Sequence, residues 1–562
     1  MNGADWIVDF LIGKGATDVF GIPGVVVLEY LYAFDRRKGE LTPHLTYHEQ
    51  GAAFAACGYA QSTGKLGLAY ATRGPGATNM ITGIADAYYD SVPVMFFTAH
   101  SSAQLSRSMR VLNNQEIDTV SMMAGITKYA VRIDRPEDLQ REVRKAYTLA
   151  TTGRRGPVFL DILSGVLAKP VVEADQSDDV LPAVTDATLL QAQAEEIAAE
   201  VRAAKRPVIL LGNGAKTCVP RETLLRFAQD AKIPVLSSRS AQDAIPDSPL
   251  FYGFVGSHAM RYSAFILSKA DLILALGNRL SFPVNSTSFH PVVEQAKILR
   301  VELDEAEYER ELPNTVNYRT DVAELIPALA KNDLSYRDSA AWLAVCDELR
   351  STLRRWDRMP VIDAVMKLMQ AADPKSVYAC DVGNHSFWVT TAYSYADRFN
   401  RILYSASFGT LGSALPKAIG ASYAAQAPVI CFTGDQGVQM NVQELNFIAL
   451  HKLPIAVVVL NNHASGMIRD RQKDRPHYVH TTEGSGYGAP DFQKLADAYG
   501  LAYFRFDTGD ANPERCLAQL PCIIELPVDA DTPLYPLLPR GSACQRMLPD
   551  LSEELYDRLN NL

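Results

Sequence analysis

Cysteine is scarce in this chain: eight residues in 562, with no pair in a Cys-x-x-Cys spacing. That argues against a disulfide framework. Most of the eight sit in apolar runs, such as Cys57 in AAFAACGYA and Cys431 in VICFTG. They read as small core residues of a reduced, cytoplasmic protein. Basic blocks are missing too. Lys and Arg number 54 against 64 Asp and Glu, a net charge of −10, so nucleic acid and anionic membranes are not expected partners. No apolar run reaches 18 residues, which argues against a membrane span. The first residues, MNGADWIVDF, carry Asp5 and Asp9 and no basic stretch, unlike a signal peptide.

What is present is an ordinary globular composition, 48% hydrophobic and 21% charged, at a length that suits several domains. Apolar runs alternate with helical stretches in three α/β blocks, about 1–170, 187–330 and 359–545. The middle block has the rhythm of a doubly wound parallel sheet: PVILLGNG, IPVLSS, ADLILALGNRL and KILRVELD. A polar linker is expected over 173–186 and a second connector near 331–358. The tail after Leu548 is expected to end in a short helix.

Residues 431–468 are the most informative segment. One apolar run ends at Gly434-Asp435, an amphipathic helical stretch follows, and a second run ends at Asn461-Asn462. In a parallel sheet the two ends share one edge. Asp435 and Asn462 are hard oxygen ligands that suit Mg²⁺ better than zinc. A helix opening after Asp435 would favour a phosphate there. Taken alone, the pair also reads as an N-cap and a turn. Glu49, in TYHEQGAAFAACGYA, enters a run spaced like one buried helix face. Its carboxylate needs either a partner or a role, unless it only answers the helix dipole.

GDQ followed one helix later by NN resembles the thiamine diphosphate (ThDP) motif GDG…NN, with Gln436 at a glycine position. HEQGA resembles the glutamate segment of the acetolactate synthase-like ThDP enzymes, with Tyr47 where Arg is usual. VFGIPG, RGPGATNMITG, DVGNHSFW and FGTLGSALPKAIGA resemble further segments of that family, the last two matching DVGQHQMW and GxGTMGFGLPAAIGA. The likeness runs over nearly the whole chain. It implies three doubly wound parallel-sheet α/β domains: pyrimidine-binding, central Rossmann-like and diphosphate-binding.

The resemblance also implies roles. Glu49 would sit beside N1′ of the aminopyrimidine and promote its imino form. Pro75 and Asn79 would line the pyrimidine loop. Asn384 and His385 would meet phosphate oxygens. Gly409 would give its carbonyl to the 4′-amino group, and Leu411, where Met is usual, would wedge the cofactor into its bent form. Asp435, Asn462 and the carbonyl of Ala464 would hold Mg²⁺. The amides of Gln436, Gly437, Gly466 and Met467 would approach the diphosphate. Gln115 and Lys128 match the FQE…ITK stretch, with Gln115 a catalytic candidate and Asn114 at a Phe position. Arg471 stands where a specificity Trp is found, and reads equally as a solvated charge.

The function so implied is decarboxylation of a small 2-keto acid, with pyruvate the expected donor, and carboligation to a carbonyl acceptor. A homodimer or homotetramer with shared sites is expected. Alternatives are a simple 2-keto-acid decarboxylase, a ThDP oxidase and a catalytically silent subunit; intact Glu49, Asp435 and Asn462 argue against the last. FAD is a further candidate on the central block, where Arg206, Gly212, Gly214, Gly256, Gly277 and Asp304 fall at nucleotide positions. Pro283, near an expected arginine, speaks instead for an empty Rossmann-like domain.

Overall fold

The computed structural model describes residues 1–101, 114–172, 185–280, 295–506 and 512–562. Pro283 and most of the 173–186 linker lie outside the described residues. Three six-stranded, wholly parallel sheets carry the fold. The first contains β1 (Asp18–Gly21), β2 (Thr42–Leu45), β3 (Gly67–Tyr70), β4 (Val94–His100), β5 (Tyr129–Ile133) and β6 (Val158–Leu163), in the order 2-1-3-4-6-5. The second contains β7 (Pro207–Leu211), β8 (Val235–Ser237), β9 (Phe251–Phe254), β10 (Leu272–Leu276), β11 (Lys297–Val301) and β12 (Thr315–Tyr318), in the order 12-11-10-7-8-9. The third contains β13 (Val377–Cys380), β14 (Ile402–Tyr404), β15 (Val429–Gly434), β16 (Ile455–Asn461), β17 (Ala502–Arg505) and β18 (Cys522–Pro527), in the order 14-13-15-16-18-17. The first and third sheets therefore share one topology.

Contacts divide the chain into two compact units. One holds Met1–Pro182, Ala372–Ser386 and Asn400–Ala530, with the first and third sheets; the other holds the remainder, with the second sheet. In the first unit the helix Glu49–Thr63 is buried at every position from Gly51 to Ala60. The spacing suggested one buried face, but alanine, glycine and cysteine leave no polar side to turn outward. It crosses the helix Ala414–Ala425 in backbone contact. A Cβ on Gly420 would lie 1.8 Å from the Ala55 carbonyl, and one on Gly58 would lie 2.1 Å from that of Lys417. Only glycine fits at such a crossing.

Two local expectations are revised. The stretch after Asp435 opens as a 3₁₀ turn, Val438–Asn441, and becomes an α-helix only at Glu444–Leu450. The Gln439 side chain donates back to the Asp435 carbonyl at 2.8 Å, which tightens that turn. The 331–358 connector contains a helix, Ser339–Leu353, whose buried stripe is Trp342, Cys346, Leu349 and Leu353. The C-terminal helix forms over Glu553–Asn560. All eight cysteines are free, and all but Cys218 are buried. No helix among the described residues is long and apolar enough to cross a membrane.

Candidate active site

Ligands in such sheets gather at the carboxyl ends of the strands where the winding reverses. In the third sheet that point lies between β13 and β15, and the chain leaves these strands at Asp381 and Asp435. β16 pairs in parallel with β15, Gly434 opposite Leu460, so Asn462 emerges beside Asp435.

Asp435 is 2% exposed. Burial pushes its carboxyl up to about 6, against the Tyr487 hydroxyl first and then the Gln436 and Ala464 amides. The Gln436 N–H donates to Oδ1 at 3.0 Å. The Tyr487 hydroxyl approaches this carboxylate, yet Oδ2 makes no hydrogen bond of good geometry. Gln436 does not take a positive φ, so the loss of the family's glycine brings no backbone strain. The His385 ring lies against Gly383 and Gly434, where Cβ atoms would fall 2.9 and 3.1 Å away. Burial lowers its pKa to about 4, so the ring is neutral at pH 7. A Cβ on Gly466 would meet Asn462 Nδ2 at 2.7 Å and Asn384 Nδ2 at 2.8 Å. Asn384 donates to Asp470 at 2.9 Å. Met467 follows Gly466 in the short helix Gly466–Arg471.

Asn384 Oδ1, His385 Nε2 and Asp435 Oδ2 are buried without hydrogen-bond partners. Buried polar atoms are normally satisfied. Three such atoms beside glycines that admit no side chain fit a cradle for a missing polar group. The oxygen donors fit Mg²⁺ with a diphosphate. Among the described residues no cluster of three or more His, Cys, Asp or Glu offers a competing metal centre.

The loop carrying Gly409 and Leu411 stands on the same edge. Gly409, with φ of 72°, is exposed, and Leu411 is only partly buried, so it is not a core residue. Gly412 anchors the loop: its N–H donates to both oxygens of Asp381 at 2.9 and 3.1 Å, and its carbonyl accepts from Asn441 at 2.8 Å. Asp381, 1% exposed, also accepts from the Val382 N–H at 2.9 Å and the Thr433 hydroxyl at 3.0 Å.

In the first sheet the corresponding edge follows β3. Pro75 opens the turn Pro75–Asn79, and Asn79 donates to Glu49 Oε2 at 2.9 Å. Glu49 begins its helix, 8% exposed, with Gly76 against its Oε1. Gln115 is exposed, with φ of 60°, and its carbonyl lies against Gly74. The Arg73–Glu116 ion pair at 3.0 Å holds that contact. So Glu49, Pro75, Asn79 and Gln115 converge. Lys128 does not join them: its ammonium is tied to the Leu149 and Thr152 carbonyls. Asn114 and Arg471 are exposed.

Residues proposed for a nucleotide on the second sheet have other contacts. Arg206 donates to the Leu562 carbonyl at 3.2 Å and lies over Trp342. Gly212 and Gly277 serve a backbone crossing in which a Gly212 Cβ would lie 2.0 Å from the Gly277 carbonyl. Gly214 also packs on Gly277, Gly256 takes φ of 154°, and Asp304 caps a 3₁₀ turn.

Sequence reasoning missed two acids. Asp381 ends an apolar strand as Asp435 does, which was a usable signal. Glu444 is fully buried and accepts from the Tyr47 N–H at 3.2 Å, just before the Glu49 helix; its Oε2 has no partner. Burial pushes its carboxyl up to about 7.

Comparison with known proteins identifies the domains. Residues 1–122 match the thiamine pyrophosphate enzyme N-terminal TPP binding domain, 194–329 its central domain, and 381–521 its C-terminal TPP binding domain. The chain is 32% identical to the acetolactate synthase isozyme 2 large subunit of Escherichia coli, over 98% of this chain and 100% of that protein. It is 31% identical to a probable acetolactate synthase large subunit of Methanocaldococcus jannaschii, over 100% and 98% of the two chains. It is 31% identical to the acetolactate synthase large subunit of Lactococcus lactis, over 97% and 96%. With all three domains matched in order and relatives aligned end to end, this chain belongs to the thiamine pyrophosphate-dependent enzymes, in their acetolactate synthase-like branch.

Proposed function

We propose that the enzyme decarboxylates a small 2-keto acid, pyruvate first, and joins the remaining two-carbon unit to a carbonyl acceptor. The observation that carries this reading is the set of three orphaned buried atoms, Asn384 Oδ1, His385 Nε2 and Asp435 Oδ2, around glycines that leave room for a ligand. Asp435, Asn462 and the Ala464 carbonyl would hold Mg²⁺. Asn384, His385 and the Gly437, Gly466 and Met467 amides would hold the diphosphate. When bound, thiamine diphosphate supplies a carbon nucleophile and an electron sink for loss of CO₂.

The chain's own groups then divide the work. Glu49 would hold the proton at N1′ of the aminopyrimidine, with Asn79 fixing its carboxylate. Gly409 would orient the 4′-amino group with its carbonyl, and Leu411 would supply bulk. Gln115 would face the substrate from above Gly74. The named activity of the bacterial relatives favours carboligation over release of a free aldehyde. Their designation as large subunits points to a smaller partner subunit, which co-purification tests. The minimal active unit in this reading is a homodimer whose sites take Glu49 from one chain and the diphosphate cradle from the other. A fully active monomer in light scattering would contradict that assembly.

The test is Glu49→Gln, read by hydrogen–deuterium exchange at C2 of bound ThDP. Exchange is expected to slow by two orders of magnitude or more (~10²–10⁴) while ThDP stays bound. Exchange as fast as wild type overturns the role of Glu49. No CO₂ from pyruvate with ThDP and Mg²⁺ overturns the donor.

A further inference from the structure

Lys417 is a charge inside an apolar helix, in the segment FGTLGSALPKAIGA. The family string quoted above carries Ala at that position. Its side chain is 1% exposed, and Nζ meets Asp86 Oδ2 at 2.7 Å, with Asp86 itself fully buried. Nζ also donates to the Tyr404 carbonyl at 3.1 Å. Burial works against the ammonium, yet the carboxylates of Asp86 and Asp90 hold its pKa above the ordinary lysine value. Asp86 and Asp90 come from the first sheet's side of the same compact unit, on and just after the helix Ile81–Tyr89.

These acids grip one loop. Asp90 accepts from two successive amides, Ala406 at 2.7 Å and Ser407 at 2.8 Å. Asp86 Oδ1 accepts from the Ser405 hydroxyl and from the Thr410 hydroxyl at 3.2 Å. Ser405 Oγ in turn accepts from the Thr410 N–H at 2.8 Å and closes the loop on itself. Within this closed loop Gly409 is exposed, and Leu411 follows it. Asp381 and Asn441 fix only the far end, at Gly412. Two neighbouring buried carboxylates repel each other unless a cation lies between them.

We infer that Lys417 is a positioning residue: by neutralising the Asp86–Asp90 pair it lets both acids hold the 405–410 loop in the shape that presents Gly409 and Leu411 to the aminopyrimidine. The inference rests on the ThDP reading for its final clause only; the clamp itself belongs to the protein without cofactor.

The experiment uses the full chain with Lys417→Met, Asp86→Asn and the double variant. Hydrogen exchange of the cofactor-free protein reads the Ala406 and Ser407 amides. Two titrations with Mg²⁺ follow, one with ThDP and one with inorganic pyrophosphate. Lys417→Met is expected to speed exchange in the 404–412 peptide by about tenfold or more and to weaken ThDP about tenfold, with pyrophosphate binding unchanged. The double variant, which removes both charges, is expected to recover most of the protection and ThDP affinity. Wild-type exchange in Lys417→Met overturns the clamp, even if ThDP proves not to bind. Equal weakening of ThDP and pyrophosphate, or faster exchange throughout the unit, also overturns it, because a general structural defect would do the same. If the wild-type chain binds pyrophosphate but not ThDP, the functional reading fails separately.

Discussion

Asp381 decides whether the carboxyl edge of the third sheet keeps its shape, and Asp381→Ala tests this. The carboxylate accepts four hydrogen bonds from three donors on three segments: Val382, Thr433 and Gly412. Removing it takes the acceptor from these donors, at ~1–3 kcal/mol each, or at most about 3–9 kcal/mol if they added, since Val382 is half-buried and the Thr433 hydroxyl also reaches the Gly434 carbonyl at 3.3 Å. The opposing effect is relief of a buried charge. Burial raises this carboxyl from 3.8 to about 6, so its ionised form costs about 3 kcal/mol at pH 8. A side chain is lost as well; Gly437 packs so closely that its Cβ would fall 2.4 Å from Oδ2. The donors outweigh the relief, and the expected net loss is about 2–5 kcal/mol. Asp381→Asn removes the charge but turns an NH₂ toward N–H and O–H donors, so it is expected to lose about half as much, ~1–2 kcal/mol. Urea unfolding of the cofactor-free protein at pH 8 measures both. ThDP titration should show weaker binding in the same order, because Gly412 anchors the Gly409–Leu411 loop. An Asp381→Ala protein as stable as wild type, with the same ThDP affinity, would refute the reasoning.

Gly420→Ala should destabilise the chain by about 3 kcal/mol or more, since its Cβ would stand 1.8 Å from the Ala55 carbonyl; an unchanged thermal midpoint would show that the two helices can part freely. Glu444 titrates near 7 in the folded chain, against 4.5 when unfolded. Between those values the unfolded chain has released a proton that the folded chain still holds, so stability falls as pH rises through that window, by about 3 kcal/mol in all. Glu444→Gln cannot ionise and should flatten this slope in urea unfolding at pH 5 and 7.5; a slope equal to wild type would assign the pH dependence elsewhere. Arg471 is exposed, so Arg471→Ala should leave stability within ~0.5 kcal/mol. With an anionic aldehyde acceptor, KM should rise roughly 10-fold, and an unchanged acceptor preference would return Arg471 to a solvated charge.

The juxtaposition of Asp435 and Asn462 was legible because its geometry is nearly local. Two apolar runs one helix apart make neighbouring parallel strands, and the register of Gly434 on Leu460 then sets Asp435 beside Asn462. Glu49 was legible for a different reason: a carboxylate opening a helix of small residues stands out against its surroundings. The clamp residues were not legible, because each is defined by partners far away in sequence. Asp86 looks like one polar residue on an amphipathic helix until Lys417 and Thr410 arrive from more than 300 residues later. Asp381 is silent until Gly412 and Thr433 fold onto it. The helix expected after Asp435 was overdrawn because periodicity cannot register a side chain such as Gln439, which bonds back to the main chain.

The repeated topology explains why the candidate site has two halves. The first and third sheets follow the same strand order, so each has its reversal between its first and third strands. In both, the chain leaves the third strand straight into a site segment: β3 runs into Arg73–Asn79, and β15 runs into Asp435–Gly437. The first sheet's edge offers a carboxylate with an amide partner, suited to moving a proton on a ring. The third sheet's edge offers unpaired oxygen and nitrogen atoms beside glycines, suited to a metal diphosphate. A cofactor with a ring at one end and a diphosphate at the other needs both chemistries, and neither edge carries both. The central sheet follows another order, and at its reversal, between β7 and β10, Gly212 and Gly277 meet backbone to backbone. One strand pattern used twice with different residues thus offers the two complementary half-sites that the proposed function needs, and the distinct pattern of the middle sheet sets it apart from them.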